Sequence, residues 1–349
     1  MSAKKSLAGK CGAPYIRGMP SQIAHIQLGR EALTALPAGW AARFPDAAFR
    51  LGCQGPDVFY HNRRTKPGAF LYGTRLHRHR WGAFLSRFRR EALERKWGPE
   101  HPGMAFLAGQ ATHGFLDRRA HPFVVSFAGW RVPGDPATDS LRHAHAFLER
   151  ILDVLLWREK VGTPFGRCSW QEDFPAAADF PHDFWTVWAE ALHETFPRLS
   201  ARADVEPRLR NAVSDTRGFL THTAPAATDL ALRAARQGAI HYFHPVALPD
   251  WDFLNLSRAE WPDPLTGLPR TESFLDLFER ALAEARRALS LLTDTSADWE
   301  ALVGNGSLNL PGEEGQSLGP RFAKPWDYAA LYDREVEARL AGVIPPGLP

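Results

Sequence analysis

The chain lacks any run of about 18 consecutive apolar residues, so nothing in it reads as a membrane span. Its first twenty residues, MSAKKSLAGKCGAPYIRGMP, are basic but lack the apolar core of a signal peptide, which places the expected location in the cytoplasm. Cysteine is scarce. Cys11, Cys53 and Cys168 are odd in number, scattered, and form no C-x-x-C, which excludes a disulfide framework and a thiolate zinc site. An excess of one charge is also missing: the net charge of +3 names no partner. Strand-like alternation is nearly absent, with residues 123–127 the best and only a short candidate, and no internal repeat is found.

Helical periodicity is what the sequence does have, so the expected fold class is all-α. Ser21 is a candidate cap for a helix over 21–36, with Ile23, Leu28, Ala32 and Leu33 inward. Further helices are expected over 81–96, 103–120, 139–160, 184–196, 228–236, 271–292 and 328–340. The helix over 103–120 should stop before Pro122, because the residue ahead of a proline avoids the α region. Residues 161–182 and 244–270 form long connections rich in Pro, Gly and Trp, the kind of loop that often carries function. Residues 303–320, with five glycines, are expected to lack regular structure. The chain divides into a flexible extension (1–18), a main helical domain (19–295) and a loop with a C-terminal helical arm (296–349).

The chemistry concentrates in two histidine–acid pairs. His113-Gly-Phe-Leu-Asp117 continues through Arg-Arg-Ala to His121-Pro122, and His145-Ala-Phe-Leu-Glu149 follows on the next expected helix. A spacing of four residues turns a helix by only about 40°, so each pair shares one face, and His121 drifts roughly 80° from His113. One such pair alone is more often a surface or core feature. Two pairs and an extra histidine set the core reading a harder problem, because burying several unpaired ionisable groups is costly. Imidazole and carboxylate are also the usual zinc ligands where thiolates are absent. Asp57, in Gly55-Pro56-Asp57, is an acid on a turn that glycine and proline would hold rigidly; alone it reads as a simple turn residue. His77 and His25 add imidazoles.

In order along the chain, these residues resemble the bacterial zinc-dependent phospholipase C family. The matching strings are Met19-Pro-Ser-Gln-Ile-Ala-His25, Gly55-Pro56-Asp57, Gly73-Thr-Arg-Leu-His77, Gly109-Gln-Ala-Thr-His113 through Phe123, and His145-Ala-Phe-Leu-Glu149. Phe253-Leu-Asn-Leu, Trp261-Pro-Asp-Pro-Leu-Thr-Gly and Ser273-Phe-Leu-Asp-Leu-Phe extend the likeness to about residue 290. The resemblance implies an all-α, phospholipase C/nuclease-like domain whose cleft holds two to three zinc ions. His113 and Asp117 would share one ion with Asp57 and His77. His121, His145 and Glu149 would hold a second, and Asp117 would lean toward a third near His25. Asp57 would orient or deprotonate the attacking water, and the substrate would be a phosphodiester such as a phospholipid. Secreted members use a free N-terminal amine at the third zinc, whereas here 18 residues precede Met19; Val58 rather than an aromatic follows Asp57, so no choline pocket carries over.

Other functions compete. A single-strand nuclease of the same fold would need aromatics flanking the cleft to stack bases, beside the basic stretch Arg75, Arg78, Arg80, Arg87, Arg89, Arg90, Arg95 and Lys96. The plainer reading of that stretch is a solvated helix face, and of the 12 tryptophans, core packing. An HD-type phosphohydrolase would use His182-Asp183, which also reads as an ordinary helix start. The last alternative is a metal-bound module without catalysis.

Overall fold

The computed structural model describes residues 22–310, 312 and 319–348, so the extension over 1–18 and the expected Ser21 cap lie outside the described residues. Among the described residues the fold is all-α, with helices from Gln22–Ala32 (α1) to Tyr328–Leu340 (α12). The β structure consists of Trp261–Pro262 paired antiparallel with Pro269–Arg270. No described helix is long and apolar enough to cross a membrane.

One helix organises the rest. Helix α5 (Pro102–Ala128) is buried on nearly every side, with Arg119 its exposed residue, as expected of a helix apolar all round. Pro102 occupies its first turn and the His101 side chain accepts from Gly103 N at 3.1 Å, which satisfies one of the free amides of the helix start. Helix α2 (Asp46–Cys53) lies so close to α5 that a Cβ on Gly52 would sit 2.2 Å from Phe106 O, and one on Gly109 2.4 Å from Phe49 O. Helix α10 (Phe274–Ser290) covers another side with Phe274, Leu277, Phe278, Ala281, Leu282 and Ala285, and Ser273 and Asp276 form its capping box.

Two expectations about α5 are corrected. The helix does not stop before Pro122 but runs six residues beyond it, and residues 123–127 are helix rather than strand. An internal proline costs roughly 3 kcal/mol through its lost hydrogen bond and ring clash. Packing outweighs that here: the Phe123 ring lies 4.7 Å from Phe127, 5.5 Å from Trp261 and 6.0 Å from Phe274. Helix α6 (Ala144–Lys160) starts later than residue 139, because Pro136–His143 forms a 3₁₀ turn capped by Asp135. Helices α2, α3 (Phe70–Arg78) and α8 (Arg202–His222) were not anticipated. In α8 the stripe Val205, Leu209, Ala212, Val213, Thr216 and Leu220 was hidden by Pro207 and a polar majority. Helices α9 (Thr228–Arg236) and α12 match the expected bounds. The described part of 303–320 beyond Val303 carries no helix or strand.

Candidate metal centre

Five segments bring the eight expected residues to one place. Helix α1 supplies His25, the turn Gly55–Phe59 supplies Asp57, and α3 supplies His77. Helix α5 supplies His113, Asp117 and His121, and α6 supplies His145 and Glu149. All are buried except His145, which is partly exposed. Asp117 sits in the middle. Its Oδ1 is 3.2 Å from His25 Nε2 and 3.5 Å from His121 Nε2; its Oδ2 is 3.0 Å from His113 Nε2 and 3.7 Å from His77 Nε2. Asp57 reaches His77 Nε2 at 3.0 Å and His113 Nε2 at 3.4 Å, while Glu149 lies 3.2 Å from His145 Nε2 and 3.7 Å from His121 Nε2.

The imidazoles are held in a metal-ready tautomer. Nδ1 of His77, His113 and His121 meets the backbone carbonyls of Gly73 (2.8 Å), Cys53 (3.0 Å) and Leu308 (2.8 Å). A carbonyl only accepts, so each Nδ1 donates, which leaves Nε2 as the nitrogen that gives its lone pair to a cation once the ring is neutral. Gly55 makes this close fit feasible: its φ is +54°, and a Cβ there would lie 2.2 Å from the His113 ring.

Electrostatics divide the two central acids. Burial pushes the Asp57 carboxyl well above the usual carboxylate range despite His113 beside it. Burial acts the same way on Asp117, but His113 and His121 overrule it and hold Asp117 well below that range. Burial lowers His25 and His77 to about 4, keeping them neutral, the form that ligates metal. For His121, Asp117 and Glu149 overcome burial and raise it to about 9.

The donor set fits zinc. Three groups have ligand atoms lying within 4.8 Å of one another: His25, Asp57 and His113; His77, His113 and Asp117; and His121, His145 and Glu149. Both Asp57 oxygens, Asp117 Oδ2, Glu149 Oε2 and His113 Nε2 are buried with no hydrogen-bond partner among the described residues. So many buried polar atoms without hydrogen bonds suit a site built for cations. A family model described as zinc dependent phospholipase C matches residues 24–206, just over half of the chain. The chain belongs to this family. All eight candidate residues fall inside the matched span, and membership supports a zinc-dependent hydrolase of the phosphodiesterase type. No curated protein and no solved structure matches the chain.

The other sequence candidates lie elsewhere. His143 stacks flat on His241 at 3.8 Å, apart from the ligand cluster. His182 is exposed, and Asp183 accepts from Trp97 Nε1 at 2.9 Å, so this pair is a helix start rather than a second centre. In the basic stretch, Arg87 bonds Glu194 at 2.5 Å and Arg89 is buried against Leu292 O at 2.7 Å, while Arg75, Arg78, Arg80, Arg90, Arg95 and Lys96 are exposed, which suits the plainer reading of a solvated face. Trp81, Trp185, Trp188, Trp261 and Trp299 are core residues. Sequence reasoning missed the strap after α11 (Trp299–Val303). There, Leu308 O accepts from His121, and His77 O accepts from Leu308 N at 2.8 Å and Ser307 Oγ at 3.2 Å. Backbone partners leave no signal in a motif.

Proposed function

We propose that this phospholipase C family member hydrolyses phosphodiesters, phospholipids among them, with two to three zinc ions held by the eight clustered residues. His77, His113, Asp57 and Asp117 would hold one ion; His121, His145 and Glu149 a second; Asp117 would share a third with His25. Bound zinc supplies charge for the phosphate and the leaving oxygen and lowers the pKa of a bound water. The chain's own contribution is placement. Asp117 ties three sets of imidazoles to one carboxylate, and the carbonyls of Gly73, Cys53 and Leu308 fix which nitrogen faces the substrate. Asp57, with neither oxygen engaged in a hydrogen bond among the described residues, is the group to accept the proton of the attacking water.

The observation that carries this reading is the convergence of three ligand groups on one buried centre. The nuclease reading has less support, because the five best-buried tryptophans are committed to the core. The test is hydrolysis of a chromogenic phosphodiester and of phospholipid vesicles by zinc-replete, chelated and zinc-restored protein, beside an Asp57→Asn variant. Activity should vanish on chelation, return with zinc and be largely lost in the variant. Zinc-replete protein that hydrolyses neither substrate would favour a metal-bound module without catalysis.

A further inference from the structure

A line of buried polar contacts connects the C-terminal helix, which lies outside the family-matched residues, to the first turn of α1, where His25 sits. It centres on Asp153 of α6, which is fully buried. Asp153 Oδ2 accepts from Gln22 N at 3.1 Å and Oδ1 accepts from Ala24 N at 2.7 Å. These are two of the first three amides of α1, which a helix leaves without internal partners. A carboxylate there caps the helix and complements its positive end, here from a residue 131 positions away in sequence. His244 Nε2 lies 3.0 Å from Asp153 Oδ2, and Arg150 Nη1 donates to Gln22 Oε1 at 2.6 Å. Beyond His244, its carbonyl accepts from Arg339 Nη2 at 2.7 Å, and Arg339 Nε donates to Glu335 Oε1 at 2.8 Å. Glu335 Oε2 in turn accepts from Val246 N at 2.9 Å and Ala247 N at 3.1 Å.

His25 depends on this line more than the other ligands would. His77, His113 and His121 are each fixed twice, by their helix and by a carbonyl on Nδ1. The buried Nδ1 of His25 has no such partner among the described residues, so beyond its stack on the His113 ring at 4.0 Å and its contact with Asp117 its direction rests on where α1 begins. His25 is also the one candidate ligand supplied by α1, three residues from Gln22 on the same turn. A shift of that turn moves the imidazole against Asp117, 3.2 Å away.

We propose that Asp153 is a positioning residue for the His25 corner of the metal centre, and that His244 and the Arg339–Glu335 pair of α12 hold it in place. The C-terminal helix is then a working part of the centre. This rests on the reading that His25 and Asp117 share an ion. Full-length wild type, His25→Ala, Asp153→Asn and Arg339→Met are compared by zinc content, by competition titration with a chelator, and by hydrogen exchange of the metal-free proteins. His25→Ala should lose one ion. Asp153→Asn and Arg339→Met should keep the ions on α5 and α6 but bind the weakest ion at least about tenfold less tightly, the scale of outer-sphere effects at metal sites. Exchange over residues 22–25 should quicken in both. Wild-type affinity for every ion in both variants, with one ion lost in His25→Ala, overturns the proposal and leaves the metal centre standing. No ion lost in His25→Ala removes the shared-ion reading and the proposal with it. Should Asp153→Asn not fold, Arg339→Met decides.

Discussion

Replacing Asp117 by asparagine keeps the side chain's size and removes one charge from the middle of the cluster. The carboxylate faces four imidazoles within 3.0 to 3.7 Å. An amide offers one oxygen acceptor, and its nitrogen only donates, so half of the bridging capacity is lost. If the ions supply about 4 kcal/mol of transition-state stabilisation through this shared ligand, kcat/KM falls on the order of a thousandfold, at 1.36 kcal/mol per tenfold. Stability should suffer far less. In the metal-free protein His113 and His121 hold Asp117 ionised, but both imidazoles can discharge when their partner goes, which limits the loss to about 1–3 kcal/mol. The assay pairs kcat/KM per folded molecule on a chromogenic phosphodiester with thermal melting followed by circular dichroism. A melting temperature that collapses while activity per folded molecule stays normal would refute the reasoning and make Asp117 a structural residue.

His145→Ala should lose an ion, whereas His143→Ala, which only removes a ring stacked on His241, should retain wild-type zinc content by elemental analysis. Gly55→Ala forces a side chain into a left-handed conformation and onto the His113 ring; denaturant unfolding should report a loss of more than about 2 kcal/mol, with weaker zinc retention, and an unchanged midpoint would mean the turn moves aside freely. Metal-free protein should be most stable near pH 6.5. His121, raised to about 9, gives stability that is full below its unfolded value of about 6.5 and lost as pH rises through 9. His25 and His77, lowered to about 4, lose stability as pH falls from about 6.5 toward 4. A urea midpoint of chelated protein that keeps rising from pH 7 to 9 contradicts this.

The candidate site was more legible than the fold around it. Histidine and acid at four-residue spacing name a helix face directly, so His113, Asp117, His145 and Glu149 could be placed from sequence. Helices α9 and α12 match the bounds expected from sequence, α12 with Asp327 capping its start and α9 with no side-chain cap. Local rules misled where tertiary packing overrode them, as at Pro122, whose helix continues because Phe123 and Phe127 are pinned by Trp261 and neighbouring rings. Parts of the centre made of backbone, such as Leu308 O on His121, or of a distant cap, such as Asp153 on α1, leave no local pattern to read.

The central claim is that these buried side chains hold zinc, and anomalous diffraction recorded on either side of the zinc absorption edge tests it most directly. Crystals of zinc-replete protein should give at least two anomalous peaks, one among His77, His113 and Asp117 and one among His121, His145 and Glu149. Zinc confined to surface positions, with no peak in either group, would contradict the account.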